Sequence, residues 1–195
     1  ADPIGDRGSW PAAATTWLEL CQRRGLHAAV LAAGEDGARV YRSVGLKTLA
    51  IGDEAIIDVD EFSLRGSAMK PVRQAVNRVT TAGYTTQIRR HADLTTAELS
   101  EIEVLAGQWR GEDTERGFSM ALNRIGDPTD GQCLLVTAHD REGDIRAFLS
   151  FVPWGERGVS LDLMRRDRSA ENGINEYLVA TLIATARERG IGRIS

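Results

Sequence analysis

The chain has 195 residues, enough for one well-buried domain or two small lobes sharing a core. Hydrophobic residues at 42% and charged residues at 27%, with 20 Gly and 5 Pro, exclude collagen-like, low-complexity and wholly disordered chains. The formal net charge of −4 argues, as a whole-chain average, against nucleic acid as a partner.

Ser9 to Arg24 reads as a helix, with Ser9 as its cap, Pro11 in its first turn and Gly25 at its end. Leu26 to Ala33 is a short apolar strand, and Ala38 to Val44 a short helix closed by Gly45. Leu46 to Ile51 and Glu54 to Val59 read as strands on their Ile and Val content. Leu64 to Thr81 is the next helix, ended by Gly83, and Tyr84 to Arg90 alternates as a strand. Thr95-Thr96-Ala97-Glu98 is a capping box that opens a helix with Leu99, Ile102, Leu105, Ala106 and Trp109 on one face. Gly111 to Arg116 is an acidic loop, and Gly117 to Met120 opens a short helix. Gln132 to Ala138, Ile145 to Val152 and Val159 to Met164 read as strands, the first two joined by a turn at Asp140 to Gly143. Asn172 to Arg189 is the last helix, and Ile191 to Ser195 begins a strand. This order predicts a mixed α/β (α+β) fold containing an antiparallel meander.

Cys21 and Cys133 lie far apart among apolar residues and read as small buried hydrophobes of a reducing compartment, not a disulfide. His27, His91 and His139 are isolated, so no metal spacing exists. No apolar run approaches the roughly 20 residues that span a bilayer. Ala1-Asp2-Pro3 carries no initiator Met or signal-peptide pattern, and both ends read as cuts in a longer protein.

The whole-chain charge conceals two poles. Phe62 to His91 carries Arg65, Lys70, Arg73, Arg78, Arg89 and Arg90 with no Asp or Glu. Lys70, Arg73 and Asn77 share one helical face, suited to phosphates or simply to solvent. Ala92 to Glu115 then carries a balance of −6 and ends in Glu112-Asp113-Thr114-Glu115, which suits a cationic ligand or, again, solvent. In Ser160-Leu161-Asp162-Leu163-Met164, alternation places Ser160, Asp162 and Met164 on one face of a strand. A carboxylate on an inward face must be paired or functional, and Arg165 and Arg166 follow at the strand end. A structural Asp–Arg pair and a functional site both fit that pattern. No Gly-rich phosphate loop and no G-x-S-x-G elbow occurs, so nucleotide hydrolysis and triad hydrolysis find no support.

Several short motifs together resemble the phosphatidylglycerol lysyltransferase family, the DUF2156 or MprF/LysX-type aminoacyl-phosphatidylglycerol synthases. They are Ile51-Gly52-Asp53-Glu54-Ala55, Phe62-Ser63-Leu64-Arg65-Gly66 with Met69-Lys70 and Arg73, and Gly83-Tyr84. Further along they are Glu115 to Met120, Ala147-Phe148, Asp162-Leu163-Met164-Arg165 and Asn172-Gly173. Their order and spacing give the match its specificity, and Asp2 to Asp6 extends it over nearly the whole chain. The wording is most similar to the form fused to a lysyl-tRNA synthetase.

The resemblance implies tandem acetyltransferase-like (GNAT) lobes with mostly antiparallel sheets, here residues 1–91 and a second lobe over 92–195. It implies transfer of lysine from lysyl-tRNA to phosphatidylglycerol at the cytoplasmic membrane face, with no cofactor and no metal. Asp162 and Arg165 are then the expected catalytic residues, and Glu115, Lys70, Arg73 and Arg166 the expected substrate-binding ones. Common GNAT enzymes hold acyl-CoA pyrophosphate in an RxxGxG/A loop, whereas Asp167 to Gly173 here has one Gly. An acyl-CoA N-acetyltransferase and a non-catalytic tRNA- or lipid-binding lobe are the alternatives.

Overall fold

Apolar residues at helical spacing build the first of two units, which runs to Asp53 in a computed structural model that describes residues 2–110 and 125–195. Helix α1 (Trp10–Arg23) buries Trp10, Ala14 and Cys21, with Pro11 in the first turn where its missing N–H costs nothing. Ser9 does not cap it through its side chain. The Asp6 carboxylate instead accepts the Ser9 N–H at 3.2 Å and opens a 3-10 turn ahead of the helix. Helix α2 (Glu35–Ser43) starts three residues earlier than its apolar pattern suggests, because Glu35 and Asp36 suit the positive end of the helix dipole. The Trp17 and Tyr41 rings join α1 to α2 edge to face, 6.4 Å between centroids.

The strands expected over 26–33 and 46–51 do not form. Leu26, Leu31, Leu49 and Ile51 are exposed, Leu49 at 85%. The physical reason is that β propensity records fit to a neighbouring strand, so an apolar run without a ladder gains nothing from extending.

The second unit spans Glu54–Ser195. Among the described residues its six strands are β1 (Ile57–Asp58), β2 (Thr85–Arg90), β3 (Leu134–His139), β4 (Ile145–Trp154), β5 (Gly158–Arg166) and β6 (Arg193–Ile194). They form one sheet in the order β1-β6-β5-β4-β3-β2, antiparallel except for the β5–β6 pair. Strand β2 pairs along its whole length with β3, so elements on both sides of residue 91 share this sheet. The turn at Asp140 to Gly143 forms as the sequence predicts: Gly143 N–H reaches Asp140 O at 3.1 Å, and Gly143 has φ +93°.

Helix α3 (Lys70–Thr81) begins six residues after the expected Leu64, since Pro71 is tolerated only in a first turn. Helix α4 (Thr96–Arg110) opens on the predicted capping box, with Thr95 N–H on Glu98 Oε2 at 2.7 Å and Glu98 N–H on Thr95 Oγ1 at 3.2 Å. Helix α5 (Ile174–Ala186) continues into a 3-10 turn over Arg187–Arg189 and ends at Gly190, φ +72°. Helices α3 and α5 cover one face of the sheet, with Val79, Leu178 and Leu182 packed on Leu134, Val136, Leu149 and Phe151. Helix α4 covers the other, with Ile102 on Leu135, Phe148 and Leu163. Among the described residues no helix is long and apolar enough to cross a membrane.

Candidate functional site

The site grows from an irregularity in β5. Strand β4 pairs Ser150 with Leu163 but Phe151 with Leu161, so Asp162 is an extra residue in the ladder. Such a bulge changes which side chains share a face. Leu161 packs with the α3/α5 core, and so does Met164, while Leu163 joins the α4 core. The strict alternation that put Ser160, Asp162 and Met164 on one face is therefore broken at Asp162. The carboxylate itself is 1% exposed. A carboxylate this buried is held by partners or its burial is prohibitively costly, and Asp162 does interact within the protein.

The register fixes the two arginines after the bulge. Arg165 lies opposite Phe148 and so takes the α4 face, half-buried, donating to Met164 O at 2.9 Å. Arg166 lies opposite Ala147 and takes the α3/α5 face at the exposed strand end. Lys70 and Arg73 sit at the start of α3, in the layer across the sheet from Arg165. The structure thus groups Asp162, Arg165 and Arg166 on one strand and does not bring Lys70 or Arg73 to Arg165. Glu115, the acidic loop and Gly117 to Met120 lie outside the described residues.

Most of the basic run serves the fold. Arg73 donates to the carbonyls of Leu64 and Gly66, and Arg78 to that of Asn172 at 3.2 Å. Arg90 holds the Gln132 carbonyl, and Arg89 holds both the Glu98 carboxylate and the Asp93 carbonyl. Hydrogen bonds from Thr95 and Arg89 hold Glu98 at a pKa of about 2. Lys70 and Arg65 are exposed, and neither side chain makes a hydrogen bond or ion pair among the described residues.

The connection from β5 into α5 is closed on itself. Its Asp167 carboxylate accepts the Ser169 N–H and hydroxyl, each at 2.8 Å, and pairs with Arg146 at 3.0 Å. These bonds from Ser169, then Arg146, hold the Asp167 carboxyl below the usual carboxylate range. Asp167 N–H reaches Arg146 O and Ala170 N–H reaches Asp167 O. The Asp167, Ser169 and Ala170 backbone donors are spent internally, around a carboxylate that repels a pyrophosphate.

On the α4 face a cavity of about 170 Å³ opens near the sheet edge, with Gln87, Glu101, Thr137 and His139 above Leu135 and Ile145. His139 Nδ1 lies 3.1 Å from Gly143 O and Nε2 2.8 Å from Thr137 Oγ1. A carbonyl only accepts, so Nδ1 carries a proton, and in the neutral ring Nε2 accepts the Thr137 hydroxyl. No group of three or more metal-ligating side chains occurs among the described residues.

A six-stranded, mostly antiparallel sheet with helices on both faces and a bulged strand before a crossover helix defines a GNAT-like fold. A GCN5-related N-acetyltransferase from Kribbella flavida shares it, with a TM-score of 0.51 at 13% identity over 97% of this chain and 65% of that one. L-PGS from Bacillus licheniformis superposes at a TM-score of 0.84, with 26% identity over 99% of this chain and 61% of that one. The family model Phosphatidylglycerol lysyltransferase, C-terminal, matches residues 1–195, and the chain belongs to that family. It is 53% identical to the lysylphosphatidylglycerol biosynthesis bifunctional protein LysX of Mycobacterium avium, across the whole of this chain and 16% of the relative.

Sequence reasoning missed the internal closure at Asp167 and the bulge at Asp162. A bulge leaves no compositional mark, since it depends on how two strands pair. The Asp167-Arg168-Ser169 turn did carry a signal, an Asp two residues before a Ser.

Proposed function

We propose that this chain is a catalytic-domain segment of an enzyme that moves lysine from lysyl-tRNA to phosphatidylglycerol at the cytoplasmic face of the membrane. Family membership over residues 1–195 supports the reaction class. The observation that carries the site is the buried Asp162 at the bulge, with Arg165 and Arg166 three and four residues further along the same strand.

In this reading the glycerol hydroxyl attacks the ester carbonyl of lysyl-tRNA. Asp162 takes the hydroxyl proton as the new ester bond forms, and that proton ends on the ribose oxygen that leaves with the tRNA. The developing oxyanion requires donors, and the lipid and tRNA phosphates require cations. Arg165 serves the reacting groups, and the exposed Arg166 a phosphate. Lys70, exposed and unengaged among the described residues, is a cation for tRNA or lipid. Arg73 is committed to two carbonyls, so its contribution is to shape the segment ahead of α3. Glu115 is the proposed partner of the lysyl ammonium. The ester is already activated, so the step uses no cofactor.

The test is lysyl transfer from labelled lysyl-tRNA into phosphatidylglycerol vesicles by the natural full-length polypeptide. Asp162→Asn keeps the shape of the side chain and is expected to lower kcat by about 10²–10⁴-fold, the range for loss of a general base. Wild-type rates in a folded Asp162→Asn protein would sink the assignment. An acyl-CoA reading predicts tight acetyl-CoA binding, which the spent donors of Asp167 to Ala170 oppose.

A further inference from the structure

Gly83-Tyr84 and Asn172-Gly173 are two of the motifs that have no role in the chemistry. They are 88 positions apart in sequence, from Tyr84 to Asn172, yet the fold brings them together on the connection that follows the candidate site. The Tyr84 hydroxyl oxygen accepts the Glu171 N–H at 3.4 Å. Arg78, one turn and a half earlier on α3, donates to the Asn172 carbonyl at 3.2 Å. Gly173, φ +92°, lies so close to Ala75 that a Cβ placed on it falls 2.5 Å from the Ala75 Cβ. From the other side, the Tyr177 hydroxyl of α5 donates to the Tyr84 carbonyl at 3.1 Å.

Each contact is modest alone. The Tyr84 bond is long for a hydrogen bond. Their common target is what matters: three consecutive residues, Glu171, Asn172 and Gly173, are held by α3 and by Tyr84, the residue just before β2. Those residues set where α5 begins, and with Asp167 pinned to Arg146 they fix both ends of the connection leaving Arg166. A displacement of about 1 Å at a reacting centre costs on the order of 10²-fold in rate. A short connection fixed at both ends removes that freedom.

We infer that Tyr84 and Arg78 are positioning residues for the site: they cradle residues 171–173 and thereby hold Arg165 and Arg166 in register with Asp162. The inference rests on the lysyl-transfer reading for its kinetic part, and stands on geometry for its structural part. It also gives a role to Arg78, which donates to a backbone carbonyl from a helix with no Asp or Glu.

The experiment uses the full-length protein with Tyr84→Phe, Arg78→Gln and the double variant. Tyr84→Phe removes only the hydroxyl and keeps the ring in place. Hydrogen exchange at the Glu171 amide is expected to rise about tenfold in Tyr84→Phe while β3 and β4 amides stay protected. Each single variant is expected to lower kcat about tenfold with KM for lysyl-tRNA within about twofold, and the double variant to lose less than the product. Melting temperature within about 2 °C of wild type separates positioning from unfolding. Arg78→Lys, which keeps a donor, is expected to recover part of the rate. An unchanged Glu171 amide in Tyr84→Phe overturns the cradle. A faster amide with wild-type kcat overturns the positioning role. If Asp162→Asn retains full activity, the reading of the site fails, whereas the amide result still decides the cradle.

Discussion

At the scale of single residues, burial and hydrogen bonding decide what each charge does. His91 is 3% exposed, and burial lowers its pKa below the ordinary 6.5 despite the opposing pull of Asp130. Neither of its ring nitrogens has a hydrogen-bond partner among the described residues. Burial therefore favours its neutral form in the folded state, and the unfolded chain binds the extra proton first. Stability from this group is complete above about pH 6.5 and falls as pH drops below it. Urea midpoints at pH 7.5 and 5.5 should show that loss, and His91→Leu should shrink it. Equal pH sensitivity in the two proteins would remove His91 as its source. Glu98 acts in a lower window: its pKa of about 2 lies under the ordinary 4.5, so its contribution is present above 4.5 and disappears as pH falls from 4.5 towards 2. The capping box that produces this was legible in the sequence, because Thr95 and Glu98 are local partners. His91 was not, since nothing nearby in the chain announces that a 3-10 turn over His91–Asp93 will be packed under Cys133 and Gly131.

At the scale of elements, the helices follow from local rules and the strands from pairing. Gly83, Gly143 and Gly190 mark ends that the sequence predicts, each through a left-handed φ, whereas Pro71 marks a helix start six residues after the expected Leu64. Gly173 differs, because it answers both to a left-handed backbone and to Ala75 on another helix. Gly173→Ala combines an unfavourable φ with overpacking and is expected to destabilise by about 2–4 kcal/mol. Chemical denaturation measures it, and a compensating Ala75→Gly should recover the overpacking part alone. A full recovery would show that the backbone conformation costs nothing. The bulge at Asp162 belongs to this scale too. Reading β5 as a plain alternating strand grouped Ser160, Asp162 and Met164, and one extra residue undid that grouping.

At the scale of the whole molecule, the two units differ in how far their sequence is realised. In the second, a sheet covered on both faces buries Phe148, Leu149, Leu178 and Leu182 at 0% exposure. In the first, Leu49 and Ile51 stay exposed although their segment is coded as a strand. Hydrogen exchange on the 195-residue chain should rank these regions, with amides of β3 to β5 slowest and those of residues 47–51 among the fastest. Slow exchange at 47–51 would mean that this segment is already paired. By itself the sequence determined the mixed α/β class, the glycine-marked C-terminal helix ends, the hairpin turn, the charge poles and the family, because these depend on neighbours in the chain or on motif order. Only the tertiary structure decided which coded strands pair, that Asp162 stands out of register, and that most of the basic run holds carbonyls and carboxylates. Those outcomes depend on which distant segment lies opposite, and pairing and burial act across space rather than along the chain.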